Sequence, residues 1–354
     1  MELPHLLRLA LARELHGQDG QALARGAADL SARYRRVGGG PVDPAAYAVA
    51  RMPATYAAAA AAMGALAAAL PGFAPRALLD VGAGTGAALW AAQATWPDLE
   101  AADLLEASPA MIELGRRLAA RGGGVVSRAR WSRADVAAPA GWGGGPYDLV
   151  TAAYVLGELP GPARPALVER LWASAAGALL LVEPGTPRGW ATIRAAREQL
   201  RAAGAHIVAP CPHAGDCPMP ADPEADWCHF AQRLPRLRAH REAKGASRGF
   251  EDEKFAYIAA SRRPGALAVA RILRHPVTRP GRVELALCAR DGMRRQTVTR
   301  SHSAWPIARD LAWGDAVPPE VLGGGPADAP HGAASAEAPI LPDPVDRPQG
   351  GREM

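Results

Sequence analysis

The chain has 354 residues, enough for two packed domains, and its 49% hydrophobic and 21% charged content is ordinary for a soluble globular protein. The net charge of +5 is almost wholly arginine, since lysine stands only at Lys244 and Lys254. No apolar run reaches the roughly 18–20 residues of a membrane span, and Met1-Glu2-Leu3-Pro4-His5 lacks the layout of a secretion signal. The expectation is a cytoplasmic protein with no membrane partner.

Residues 1–70 read as a helical region. Leu3, Leu6, Leu7, Ala10 and Leu11 recur at helical spacing, as do Leu23, Ala27, Leu30 and Tyr34. Gly38-Gly39-Gly40-Pro41 interrupts the pattern, and Ala57 to Leu70 reads as a buried, alanine-rich helix. Residues 71–205 alternate apolar strands with helical stretches, the pattern of a parallel sheet covered by helices. Residues 206–315 hold the cysteines, with strand-like runs at Phe255–Ala260, Leu267–Leu273, Val283–Cys288 and Gln296–Arg300. Residues 316–354 are mostly Pro, Gly, Ala and acid, and the expectation is a disordered tail.

Charge is unevenly placed. Residues 1–229 hold 20 Arg/Lys against 21 Asp/Glu, residues 230–310 hold 18 against 7, and residues 311–354 hold 2 against 7. A basic block in an otherwise neutral-to-acidic chain predicts a polyanionic partner, with RNA contacts at Arg233, Arg236, Arg238, Arg241 and their neighbours.

Ala77-Leu78-Leu79-Asp80-Val81 is a short apolar run, Gly82-Ala83-Gly84-Thr85-Gly86 follows, and Ala87 opens a helix. In this strand–turn–helix the glycines permit a sharp bend and close approach to a ligand. The spacing is G-x-G-x-G, not the dinucleotide G-x-G-x-x-G. Glu106 ends the next strand, where a carboxylate can accept ribose hydroxyls. Asp135 lies in a later loop, suited to an adenine amino group or to capping a turn. Tyr147–Tyr154 and Ala178–Pro184 read as the fourth and fifth strands. This order resembles class I S-adenosylmethionine-dependent methyltransferases over residues 71–205. The resemblance implies Asp80 near the methionine end, with Gly82, Gly84 and Gly86 lining the loop, Glu106 on the ribose and Asp135 on the adenine. The Asn/Asp-Pro-Pro-aromatic motif of amino-methylating enzymes is absent. Tyr154-Val155-Leu156-Gly157-Glu158 stands there instead, and Tyr154 or Glu158 is either a base or a structural residue.

The four cysteines are Cys211, Cys217, Cys228 and Cys288. Disulfides are disfavoured in a cytoplasmic chain. Structural zinc favours cysteine pairs two to four residues apart, which are lacking, although His213 and His229 adjoin the set. An iron–sulfur cluster tolerates irregular spacing. Spacing alone leaves zinc and iron–sulfur close to even.

Pro210-Cys211-Pro212-His213, Cys217-Pro218, Trp227-Cys228-His229-Phe230, Glu253-Lys254-Phe255-Ala256-Tyr257, Leu287-Cys288 and Trp313-Gly314-Asp315 carry a second resemblance. Over residues 45–315 the chain resembles the methyltransferase-like family associated with the small ribosomal subunit. The resemblance implies a 4Fe-4S cluster on Cys211, Cys217, Cys228 and Cys288, and docking on small-subunit RNA. The expected architecture is α/β: a class I methyltransferase (Rossmann-like) sheet with N-terminal helices and a C-terminal, partly β metal module carrying the cysteines. The expected function is small-subunit assembly as a monomer. An active RNA methyltransferase is the alternative, and a small-molecule methyltransferase a weaker one.

Overall fold

Residues 77–81 become the inner strand of a wide sheet because every second side chain faces a different buried layer. The computed structural model of the chain describes residues 1–35, 43–138, 142, 145–236 and 249–323. Strands β1 (Ala77–Val81), β2 (Ala101–Glu106), β3 (Arg130–Arg133), β4 (Tyr147–Ala153) and β5 (Ala175–Pro184) run parallel in the order β3-β2-β1-β4-β5. Strand β8 (Phe250–Ser261) lies antiparallel to β5, to β6 (His206–Ala209) and to β7 (Phe230–Pro235). Parallel strands closed by one reversed strand are the class I methyltransferase arrangement, a Rossmann-like α/β fold.

Helices cover both faces, so the central strands read as nearly continuous apolar runs. Leu78 and Leu104 face one layer, where α4 (Met52–Ala69) and α5 (Ala87–Thr95) pack. Leu79, Val81 and Leu105 face the other, with α7 (Arg164–Ser174) and α8 (Pro187–Ala202). Helix α4 is long and apolar enough by composition to cross a membrane, yet 72% of that window is buried inside the fold. Its alanines let the helix lie close against α5, β7 and β8. Helices α1 (His5–Glu14), α2 (Gly20–Arg35) and α3 (Pro44–Ala50) precede it, and Asp43 caps α3 by accepting from the Ala45 N–H at 3.0 Å. Helix α6 (Pro109–Ala119) is capped in the same way by Ser108.

A second, antiparallel sheet follows. It comprises β9 (Ala270–Ile272), β10 (Val277–Arg279), β11 (Arg282–Ala289), β12 (Gly292–Thr299) and β13 (Ala316–Val317). Val283, Leu285, Leu287 and Val298 form its own core with Ala304, Ala308 and Val321. Residues 316–323, expected as the start of a disordered tail, are therefore structured: Val317 pairs with Ala270 and Val321 is buried. Residues 324–354 of that expected tail, like Gly38–Pro41, Arg238 and Arg241, lie outside the described residues.

Candidate ligand site and cysteine centre

The glycine loop joins β1 to α5 at the C-terminal edge of the sheet. Gly82 has φ +70°, and a Cβ there would meet Val155 at 2.4 Å, so only glycine fits. A Cβ on Gly84 would point at the Tyr47 hydroxyl, 3.3 Å away. The loop's donors are used internally. The N–H groups of Gly82 and Ala83 donate to the Leu105 carbonyl, and that of Gly86 donates to the Ala83 carbonyl. The Gly84 N–H donates to Glu106 Oε2 at 2.8 Å. The other oxygen of Glu106 accepts from the Ser108 N–H at 2.9 Å. These four N–H groups therefore do not form a phosphate nest.

What faces the loop is acidic instead. Asp80 is 1% exposed, and its Oδ1 accepts from the Thr151 hydroxyl at 2.8 Å. Its Oδ2 and the Thr85 hydroxyl are buried with no hydrogen-bond partner among the described residues. Burial pushes the Asp80 carboxyl up to about 7, against the pull of Thr151. Burial likewise lifts Glu158 to about 7, with Glu106 adding to it, and Glu183 to about 7. Glu183 accepts from the Gly157 N–H at 3.2 Å, which ties the end of β5 to the turn after β4. Asp135 is exposed, and its Oδ1 accepts from the Ala137 N–H at 2.9 Å, so it holds its own turn.

Tyr47, Arg51 and Glu253, which sequence reasoning did not place in the site, stand around it together with Tyr154. Tyr47 on α3 stands over Gly84, and burial pushes its hydroxyl up to about 12. Its one local signal is a lone aromatic among alanines in residues 45–48. Arg51, where α3 meets α4, pairs with Glu253 on β8 at 3.1 Å. The Tyr154 hydroxyl donates to the same carboxylate at 2.8 Å. Tyr154 has φ +63°, an uncommon conformation for a bulky residue, directly after β4.

The cysteines come from four places. Cys211 follows β6, Cys217 lies in the next loop, Cys228 precedes β7 and Cys288 is on β11. All four pack in one apolar cluster with Ile207, Met219, Trp227 and Met293. Burial drives the Cys228 thiol well above its usual value, and the nearby Cys211, Cys217 and Cys288 raise it further. Burial, then Cys211 and Cys217, lift Cys288 to about 12. His213 Nε2 lies 3.6 Å from Cys288 Sγ. Among the described residues, no three His, Cys, Asp or Glu side chains form a group able to share one metal ion.

Buried cations surround the thiols. Arg197, 3% exposed, donates to the Gly215 carbonyl at 2.6 Å and lies against Cys211. Arg271, 7% exposed, donates to the Pro210 and Gly314 carbonyls at 3.0 Å each, and no carboxylate pairs with it among the described residues. Arg274 bonds to Asp226 and to the Trp227 carbonyl. Trp227 stacks on His229, and Trp313 meets that ring in a T-shaped contact. The Trp227-Cys228-His229-Phe230 and Trp313-Gly314-Asp315 segments are thus one packed unit.

Comparison with known proteins settles the family. Residues 41–318 match the family described as mitochondrial small ribosomal subunit Rsm22. The chain belongs to this family. The resemblance read from the cysteine segments is therefore borne out. Relatives include the human mitochondrial ribosome assembly protein METTL17, 29% identical over 297 residues, covering 77% of this chain and 62% of that protein. The Rsm22-cox11 tandem protein 2 of Schizosaccharomyces pombe is 33% identical over 186 residues, 41% of this chain and 25% of that protein. The chain thus spans less than two thirds of the length of these relatives. They are mitochondrial proteins, which overturns the expectation of a plainly cytoplasmic one; that expectation rested on the first residues and on the lack of a membrane-length apolar run. Among solved structures, magnesium protoporphyrin IX methyltransferase of Synechocystis PCC 6803 with bound SAM is 18% identical, covering 70% of this chain and 99% of its own, with TM-score 0.38. Precorrin-6y C5,15-methyltransferase of Geobacter metallireducens is 18% identical, covering 58% and 86%, with TM-score 0.37.

Proposed function

We propose that this Rsm22-family chain is a small-ribosomal-subunit assembly factor that binds S-adenosylmethionine at the glycine loop, a 4Fe-4S cluster at the cysteines, and ribosomal RNA through its basic region. The name of the human relative, a ribosome assembly protein, supports the assembly role.

One observation carries the ligand class. Loop donors that would hold a phosphate are satisfied internally, while Asp80 Oδ2 and the Thr85 hydroxyl are buried and unpartnered beside Glu106. An acidic site with orphaned acceptors suits a cationic ligand better than a dinucleotide. Asp80 would hold the amino group of S-adenosylmethionine through its unpartnered Oδ2. Glu106 retains lone pairs for the ribose hydroxyls after serving Gly84 and Ser108. Asp135 is the proposed adenine contact, from an exposed turn. When bound, S-adenosylmethionine supplies an electrophilic methyl group. Around it, Tyr47 excludes water over Gly84, and Tyr154 holds the turn after β4 in place.

The donor set at the cysteines fits an anionic centre. A buried guanidinium without a carboxylate, as at Arg271, is costly unless a negative partner stands nearby. Four thiolates around a cluster supply that charge. Cys211, Cys217 and Cys288 lie near enough to Cys228 to raise its thiol further, and a set of four thiolates suits an iron–sulfur core. Cys211, Cys217 and Cys228 from the loop and Cys288 from β11 would hold the cluster, so the loop would be fastened to β11 through these four side chains.

An active RNA methyltransferase is the second reading, and Glu158 favours it. A carboxyl at about 7 is suited to accept a proton at neutral pH. The deciding experiment is crosslinking in cells with RNA sequencing, together with methylation mapping in a deletion strain. Crosslinks on small-subunit RNA with unchanged methylation support the assembly factor. A missing methyl group supports the enzyme. Neither crosslinks nor a small-subunit defect would refute both.

A further inference from the structure

The basic block was expected to meet RNA around Arg233 to Arg241. Arg233 pairs with Asp252 at 2.7 Å, and Arg236 with Glu251 at 3.3 Å, so both are neutralised within the β7–β8 ribbon. Among the described residues the charge excess lies elsewhere. Residues 277–300 hold six arginines (279, 282, 290, 294, 295 and 300) against two acids, Glu284 and Asp291.

Pairing register sorts these residues by face, because residues directly opposite share a side of the sheet. One row is Arg279, Arg282 and Thr299; the next is Val277, Glu284 and Thr297; the next is Ala286 and Arg295. A last row, Arg271, Cys288 and Met293, runs into the cysteine centre. The opposite face, with Val283, Leu285, Leu287 and Val298, is buried in this sheet's own core. The first face is thus fixed in place and turned outward at its far end. Side chains there are exposed, 57% for Arg279 and 49% for Arg282. Glu284 serves both of those arginines, at 3.6 and 3.2 Å, so one carboxylate is shared between two cations. Exposed Arg290, Arg295 and Arg300 have no ion pair among the described residues.

We infer that this outer face of β10–β11–β12, and not the β7 segment, is the RNA-contacting surface, with Arg279, Arg282 and Arg295 on backbone phosphates. Successive rows lie about 6.8 Å apart along a strand. Arginine forks suit phosphate oxygens, and the interleaved Thr297 and Thr299 hydroxyls add sequence-independent contacts. The surface rests on the RNA-binding reading above and gives that reading a location.

The test uses the full chain and a fluorescein-labelled RNA hairpin, titrated at several salt concentrations. Replacing Arg279, Arg282 and Arg295 together by Gln should weaken binding by about tenfold or more and reduce the salt slope by about 2–3, since each lost phosphate contact removes about 0.7–0.9. The matching Lys triple variant should keep most of the slope, which separates charge loss from misfolding. Arg233→Gln with Arg236→Gln should change binding less than about threefold. If the Gln triple variant binds with wild-type affinity and slope, this surface is wrong while RNA binding stands. A wild-type chain that does not bind the hairpin would overturn the RNA reading and this surface together.

Discussion

The Tyr154 hydroxyl donates to Glu253 Oε1 at 2.8 Å, and Arg51 reaches the same carboxylate from the junction of α3 and α4. One buried acid thereby joins the turn after β4, the reversed strand β8 and the helix carrying Tyr47. Glu253→Ala leaves Arg51 and Tyr154 without their shared acceptor, and should cost about 2–3 kcal/mol in denaturant unfolding. Tyr154→Phe leaves the ion pair intact and should cost about 1 kcal/mol. Equal losses for the two variants would show that the carboxylate is not the common point.

Affinity for S-adenosylmethionine should depend on pH through Asp80. The carboxyl sits at about 7 and must be ionised to accept an ammonium group. Binding measured by calorimetry should therefore strengthen as pH rises through about 7 and level off above it. One unit below that value it should be about tenfold weaker. Asp80→Asn should bind weakly with this pH dependence lost. A wild-type affinity that is flat from about pH 6 to 8 would remove Asp80 from the ligand.

Ligand-free stability should run the other way. Asp80, Glu158 and Glu183 sit at about 7 when folded, against ordinary values of 3.8 for the aspartate and 4.5 for the glutamates. Raised folded values mean that these groups hold protons in the folded state which the unfolded chain has lost. Their contribution is full below about pH 4, declines as pH rises towards about 7, and is constant above that. Glu183→Gln, neutral at every pH, should accordingly gain Tm relative to wild type at pH 8 compared with pH 5. The same difference at both pH values would show that Glu183 is not shifted.

Arg271 and the cysteines should separate metal from fold. Anaerobically purified protein should be brown, and Cys228→Ser should lose iron. Arg271→Met should lower iron occupancy while leaving metal-free stability equal or higher, because the unpaired buried cation is gone. Colourless protein with stoichiometric zinc would defeat the iron–sulfur reading. Undiminished iron in Arg271→Met would leave the guanidinium without this role.

The glycine loop was legible because its signal is local: an apolar run, Gly82-x-Gly84-x-Gly86 and a helix start adjoin in sequence. Glu106 is legible as an acid ending a strand, and the structure sets it against the Gly84 N–H. Arg51 and Glu253 escaped notice because they meet across 202 residues, with no periodicity to link them. The arginine block was visible as composition, but which arginines are neutralised depends on tertiary partners. Asp252 and Glu251 lie across a strand pair from Arg233 and Arg236, and composition alone does not reveal those ion pairs. The second sheet's separate core was likewise hidden, since alternation in β11 marks a half-buried strand without naming what covers it.

Strand β8 has a consequence for synthesis. It pairs β5 from Ala178↔Ser261 to Pro184↔Phe255, and also holds β6 and β7. During translation the β5 edge emerges long before its partner, exposing unpaired amides on an apolar strand. A nascent chain halted near residue 205 carries every loop residue proposed to bind the ligand, yet its sheet is still open. Such a chain would depend on chaperones until residue 261 has cleared the exit tunnel.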